Sequence, residues 1–213
     1  MNLVSYLKDL YGYGSPIVLK DIRIGGLSKT AIRQGFYRAE KRGELSRDGC
    51  GVYSLVDKTA DGLSKVVTFE MILKKKFLLN KLYIKGLEEL SISGYYSGLT
   101  FLNMIGITQQ VPSVIEITTN RTSSNKSFYK ALGRVAVIRK SKTEVTFENY
   151  KILQFLDMFH FLTIEEVKTY QKLLIKYIND NYLTRYQYSK YIGLYGTKTL
   201  KKLVEGGIIC AFK

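Results

Sequence analysis

Residues 28–55 constrain this chain more than any other stretch, because a capped basic helix, a glycine stop and a short hairpin follow one another without interruption. Ser28 is a good N-cap, since its hydroxyl can accept from an orphan amide of the first turn. Ile32, Phe36 and Ala39 recur at i, i+4 and i+7 and define an inward stripe. Lys29, Thr30, Arg33, Gln34, Tyr37, Arg38 and Lys41 fall mostly on the remaining surface. Gly43 stops the helix, and Leu45-Ser46-Arg47 and Val52-Tyr53-Ser54-Leu55 flank Asp48-Gly49-Cys50-Gly51 as two strands around a tight turn.

Upstream, Leu3, Leu7 and Leu10 predict a short amphipathic helix that Gly12, Gly14, Ser15 and Pro16 interrupt. Val18, Leu19 and Ile22 predict a second short helix, and Gly25-Gly26 the turn into the third. Three helices and a hairpin in that order are the plan of a winged helix-turn-helix over residues 1–56, with one helix for the major groove and a ribbon for the flanking backbone. Arg33 and Gln34 are the expected base readers, while Lys29, Arg38 and Arg47 are expected on phosphates; Ser28, Thr30 and Tyr37 complete the expected DNA surface. A basic helix is also commonly a solvated face, and Tyr37 and Arg38, a turn or more beyond the groove-entering end, read equally well as surface or packing residues.

The charge balance agrees. Thirty-three Lys and Arg stand against 18 Asp and Glu, giving a formal net charge of +15 and a pI near 9.6, so a polyanionic partner is the default expectation. The surplus is spread along the chain, and residues 181–213, with six basic residues and one acidic, are the most basic for their length. A 46% hydrophobic content is enough to build cores, which argues against disorder. The longest apolar runs, at 135–138 and 208–212, fall far short of the ~20 residues a membrane span requires, and the first residues lack a signal peptide's basic start and long apolar stretch. A bacterial-type cytoplasmic protein is the simplest expectation. Cys50 and Cys210 are too few and too far apart for a disulfide framework or a four-cysteine zinc site, and both are expected as thiols.

Residues 57–65 are polar and contain Gly62, which reads as a linker and domain boundary before an α+β domain over 66–213. Helices are predicted over 66–82, with three lysines at 74–76 on a solvated face, and over 94–104. The β-branched runs at 114–118 and 135–138 predict strands around a polar loop at 119–126, and 145–147 a third short strand. A helix follows with Ile152, Phe155, Leu156 and Phe159 on one face, and then a long helix to about Asn181, with Thr163 as cap and Glu166 at the capping-box position. The fold class is therefore α+β: a winged helix-turn-helix, then a small mixed sheet and a helical C-terminal part.

The end of the chain loosely repeats its beginning, since Gly193-Leu194-Tyr195-Gly196-Thr197-Lys198-Thr199-Leu200 parallels Gly26-Leu27-Ser28-Lys29-Thr30-Ala31-Ile32. Residues 185–213 read either as a second helix-turn-helix-like unit or as a helix pair closing the C-terminal core. Arg185, Lys190, Lys198, Lys201 and Lys202 give it a basic face in both readings. Seventeen tyrosines cluster partly at 177–195, where stacking on unpaired bases is a rival reading, although the spacing of Tyr188, Tyr191 and Tyr195 favours packing.

Candidates for chemistry are sparse. His160, in Met158-Phe159-His160-Phe161-Leu162, reads as a structural imidazole, and no ligand set for a metal is visible. No phosphate-cradling glycine motif occurs. Glu116 is a single carboxylate on an apolar strand, expected to face outward, and one carboxylate does not hold a two-metal site. No catalytic residue, cofactor or metal is expected.

The segment Ile92-Ser93-Gly94-Tyr95-Tyr96-Ser97-Gly98-Leu99, followed by Leu102-Asn103-Met104-Ile105-Gly106-Ile107-Thr108-Gln109-Gln110-Val111-Pro112 and Val114-Ile115-Glu116-Ile117-Thr118-Thr119-Asn120, resembles the core signature of AbiEi-type antitoxins. In that family an N-terminal winged helix-turn-helix precedes such a domain, so the resemblance covers nearly the whole chain. It implies an antitoxin of a type IV toxin-antitoxin system associated with abortive phage infection. The N-terminal domain would bind inverted repeats in its own promoter, as side-by-side monomers or as a dimer. The C-terminal domain would counter a nucleotidyltransferase-like toxin without a stable complex. The toxin's own motif, Gly-Ser followed by an Asp-x-Asp pair, is missing, because Gly14-Ser15 is followed only by the single Asp21. A non-enzymatic, DNA-binding autorepressor is the leading expectation; the alternatives are an RNA-binding protein shielding a toxin's RNA substrate, and a small enzyme without a visible constellation.

Overall fold

The computed structural model describes residues 2–57, 66–84 and 87–212. Most of the expected linker, residues 58–65, lies outside them. Among the described residues the fold is α+β, with nine α-helices, a mixed seven-stranded sheet of order β1-β3-β2-β8-β9-β7-β6 and a separate two-stranded ribbon, β4-β5. The chain divides into two compact units, Met1–Leu90 with Tyr129–Val135, and Ser91–Phe128 with Ala136–Lys213.

The first unit begins with α1 (Leu3–Tyr11), capped by the Asn2 side chain, which accepts from Val4 N at 3.0 Å. Next comes β1 (Ile17–Val18), where the sequence pattern predicts the second helix. Ile17 and Val18 instead pair with Tyr53 and Val52 of β3 (Val52–Leu55), and Leu19 N donates to Gly51 O at 2.9 Å, leaving a single 3-10 turn, Leu19–Asp21. Long-range strand pairing has overridden a weak local preference. Helix α2 (Lys29–Lys41) follows, then β2 (Leu45–Gly49), antiparallel to β3 with a bulge at Asp48. Leu7, Ile17, Ile32, Phe36, Ala39, Leu45, Tyr53 and Leu55 are buried in one cluster that joins α1, α2 and the hairpin. Gly35 admits α1 closely: a Cβ there would stand 2.8 Å from Leu3 Cδ2.

All four residues of β3 are buried, although neighbours point to opposite faces of a strand. Strand β3 is therefore covered on both faces, while Ser46 and Arg47 of β2 stay exposed. Beyond 66, the expected long helix is short, α3 (Phe69–Leu73), and widens into a π-helical turn, Lys74–Leu78, before strands β4 (Leu79–Ile84) and β5 (Leu87–Ile92). Lys76 of that turn donates to Cys50 O at the hairpin tip, and its ammonium lies 4.4 Å from the ring centroid of Tyr129.

In the second unit, β6 (Gly94–Tyr96) pairs antiparallel with β7 (Ile115–Thr119), which runs parallel to β9 (Arg134–Lys140). The predicted helix over 94–104 is thus a strand followed by a shorter helix, α4 (Gly98–Met104), because Gly98 at φ +58° breaks a continuous helix. Strand β8 (Lys126–Ala131) extends what reads as the end of a loop. No strand forms at 145–147; the Asn120 side chain accepts from Val145 N and donates to Val145 O, both at 2.9 Å, supplying the two bonds a neighbouring strand would have made.

Helix α5 (Tyr150–Met158) buries Ile152, Phe155 and Leu156 completely, with Phe159 just beyond its end. The expected long helix is two, α6 (Ile164–Thr169) and α7 (Gln171–Asp180), breaking at Tyr170. Thr169 Oγ1 donates to Glu165 O at 2.9 Å, a back-bond of the kind that bends helices. The capping box at Thr163 and Glu166 is complete. Helices α8 (Arg185–Tyr191) and α9 (Gly196–Glu205), joined by a 3-10 turn, close this core, where Tyr188 stacks on Phe212 at 4.9 Å and Tyr195 donates to Leu153 O at 3.1 Å.

Candidate nucleic-acid interface

Helix α2 carries the expected residues on one exposed face. Ser28 Oγ accepts from Ala31 N at 3.1 Å, so the cap is made. At the other end Gly43, at φ +66°, donates to Glu40 O, and Glu44 N donates to Ala39 O, a pair of bonds that terminates the helix by satisfying its last carbonyls. Between these limits Ile32, Phe36 and Ala39 are buried, and Lys29, Thr30, Arg33, Gln34, Tyr37, Arg38 and Lys41 are exposed. Tyr37 is 58% exposed, with Lys41 Nζ 5.6 Å from its ring centroid, so it is a surface residue.

Arg47 is exposed on β2. It stands opposite Tyr53, whose ring packs edge-on against Phe36 of α2 at 5.1 Å. Arg47 therefore shares the sheet face that α2 covers, which puts its guanidinium on the same side as the helix's donors. The hairpin tip is not a free ribbon. Gly49 pairs with Ala131, and a Cβ at Gly49 would come within 2.5 Å of Tyr129 Oη. Tyr129 Oη and Asp48 Oδ2 are buried at this junction without a hydrogen-bond partner among the described residues. Burial, with Cys50 and Asp48 nearby, pushes the Tyr129 phenol up to about 12. Burial likewise raises the Asp48 carboxyl, against hydrogen bonds from Ser54 and Ser46.

Beside the first turns of α2 lies a cleft of about 310 Å³. Lys20, Arg23, Lys29, Arg33 and Lys76 line it over a floor of Val18, Leu19, Ile22 and Ile32, and among the described residues no carboxylate does. Lys20, Arg23 and Lys76 were not singled out from sequence. The triple-lysine run reads as a solvated face until the π-helical turn brings Lys76 back to the hairpin.

The second basic group divides. Arg185, Lys190 and Lys198 are exposed, Lys201 is exposed and 3.6 Å from Glu205, and Lys202 turns inward to donate to Phe159 O at 2.8 Å. The helix pair α8 and α9 is followed by a 3-10 turn, Ile209–Ala211, and not by a hairpin like that of residues 45–55.

Glu116 is half-buried: its Oε2 accepts from Arg139 Nη2 at 2.9 Å and Nε at 3.2 Å, and a Cβ on Gly98 would lie 2.5 Å from its Oε1. The expected outward glutamate is an ion-paired one. Nearby, Ser97 Oγ, Thr118 Oγ1 and Asp157 Oδ2 form a chain with steps of 3.0 and 3.4 Å. Thr118 has one proton, so it donates to the carboxylate and receives from Ser97. Burial raises the Asp157 carboxyl, against Lys142, the Thr118 hydroxyl, His160 and Arg139. His160 is exposed, and no group of three or more His, Cys, Asp or Glu suited to a metal occurs among the described residues. Comparison with protein-family models, with curated proteins and with solved structures returns no match.

Proposed function

We propose that this protein is a non-enzymatic, sequence-specific DNA-binding autorepressor that also acts as the antitoxin of a nucleotidyltransferase-like toxin. The carrying observation is the face of α2: a capped and cleanly terminated helix that buries three apolar residues and presents Lys29, Arg33, Gln34 and Arg38 to solvent, with Arg47 on the same side of the adjoining sheet. Long donors at a helix's N-terminal end suit base edges, and flanking cations suit phosphates. The element order α1, β1, α2, β2, β3 supports a winged helix-turn-helix in which the second helix is reduced to a 3-10 turn.

The antitoxin half of the proposal rests on the resemblance of residues 92–120 to AbiEi-type proteins. Inverted repeats in the promoter and a toxin countered without a stable complex belong to the same proposal, as does action in the cytoplasm. The Tyr-rich C-terminal part supports an RNA surface less well, because Tyr188 and Tyr195 are spent in the core.

The test is a gel-shift titration of the protein against the DNA upstream of its own gene, with unrelated duplex and tRNA as competitors over a salt series. Shifts that survive competitor support the proposal. Binding that any polyanion competes away reduces the +15 charge to bulk electrostatics and rejects it; stronger binding to tRNA at matched salt selects the RNA reading.

A further inference from the structure

The α5 and α8 helices pack together within the second unit, and their outer side carries aromatic rings that the core does not use. Phe147, on the turn before α5, is 72% exposed, and Tyr186 of α8 is 73% exposed. Tyr188 and Tyr195 fill the core, but Tyr186, two residues before Tyr188 on the same helix, stands in solvent. The Phe147 ring lies 6.2 Å from that of Tyr150, tilted by 45°. On α8, Lys190 Nζ lies 5.9 Å from the Tyr186 ring centroid and 5.3 Å from that of Tyr191. The two groups adjoin, because Gln187 Nε2 donates to Glu148 O at 3.2 Å and Asn149 Nδ2 donates to Tyr191 Oη at 3.3 Å.

Cations stand among these rings. Lys151 Nζ lies 5.1 Å from the Tyr150 ring centroid, and Arg185 and Lys190 are exposed. None of the three is paired with a carboxylate among the described residues. Burial lowers the Lys151 ammonium from its ordinary value, with no anion acting against it. Glu144 and Glu148 are exposed on the turn before α5, so the two cations of α8 are the ones best set to take phosphates.

A duplex keeps the faces of its bases inside its stack and offers such rings nothing to lie on, whereas unpaired bases expose them. Rings interleaved with cations match a single strand, the rings taking bases and the cations taking phosphates. We propose that this face binds an unpaired strand of nucleic acid, with bases stacked on Phe147 and Tyr186 and phosphates held by Arg185, Lys190 and Lys151. Stacking accepts any base, so the strand is bound without sequence preference. The site does not rest on the proposed reading of duplex by α2, which belongs to the other unit.

The experiment is fluorescence anisotropy of the full chain with labelled oligothymidylate and oligouridylate of about ten nucleotides, each beside an abasic strand of the same length, over a salt series. The abasic strand keeps the phosphates and lacks the bases, so the +15 charge acts on both alike. At least one base-bearing strand is expected to bind about ten-fold or more tighter than its abasic counterpart. Phe147→Leu/Tyr186→Leu keeps apolar bulk at two exposed positions and removes the rings; it is expected to erase that preference and to melt with the parent. Phe147→Tyr/Tyr186→Phe is expected to keep the preference. Lys190→Gln is expected to flatten the salt slope by about 0.7. Promoter-duplex affinity is expected to be the same in the leucine variant as in the parent, so failure of either reading leaves the other standing. Equal binding of base-bearing and abasic strands overturns the proposal, as does a preference that survives in the folded leucine variant. A leucine variant that melts early leaves the decision to the abasic comparison and to the Lys190→Gln slope, where no change overturns the site.

Discussion

In the proposed DNA complex Arg33 reads bases and Arg47 holds a phosphate, and variants of the two should separate these roles. Loss of a bidentate base contact at Arg33 is expected to cost ~1–3 kcal/mol and to relax specificity. Arg47→Ala should weaken all sequences alike and flatten the salt slope by about one unit, as a gel-shift series across salt will read. Unchanged affinity in both variants would refute the assignment. Away from the interface, Asp157 makes stability depend on pH. Its carboxyl is raised above the ordinary 3.8 by burial, so the folded chain holds the proton to higher pH than the unfolded chain does. Stability should therefore fall as pH rises above the ordinary carboxylate value, and Asp157→Asn should reduce that fall, the buried Asp48 carboxyl supplying a part that remains. Urea denaturation of both proteins at about pH 4 and about pH 7 checks the sign. Tyr129→Phe deletes a buried hydroxyl without a partner among the described residues and is expected to hold or raise the melting temperature.

Helix α2 was fully legible because everything that makes it is local: the Ser28 cap, the period of Ile32, Phe36 and Ala39, and the Gly43 stop. Ser28→Ala should accordingly cost ~1 kcal/mol of stability by chemical denaturation. The elements that sequence reading missed are those set by distant partners. Strand β1 exists through Tyr53 and Val52, β8 meets β2 at Gly49, and the Lys74–Leu78 turn is a π-helix with Lys76 held at the hairpin tip. Nothing in the local sequence around each element encodes those contacts. The cationic cleft was hidden for the same reason, since its five charges come from three separate segments. At Gly98 the local signal was present and outweighed by helix-like apolar spacing. With φ +58° and the Glu116 carboxylate 2.5 Å from where a Cβ would stand, Gly98→Ala should cost at least ~1–2 kcal/mol from backbone strain alone, before the Glu116–Arg139 pair is disturbed.

At the scale of the molecule, both compact units are assembled from discontinuous stretches of chain, and the first borrows Tyr129–Val135. Residues 1–57 contain every element of the proposed DNA-binding plan, yet they leave out Lys76 and Tyr129, which pack on the hairpin tip. The isolated fragment 1–57 is expected to melt without a cooperative transition by circular dichroism, while the full chain unfolds cooperatively. The charge surplus was legible as a total and not as a surface, because Lys202 and Arg139 are committed to internal bonds and Lys201 lies beside Glu205. The two thiols are also distributed in an instructive way: Cys50 is exposed at the pinned hairpin tip of one unit, and Cys210 is exposed in the last 3-10 turn of the other. The native chain thus carries a ready-made pair of attachment points for a donor and an acceptor dye, and energy transfer between them would follow the spacing of the two units in solution, with and without duplex, in a protein from which no residue has been changed.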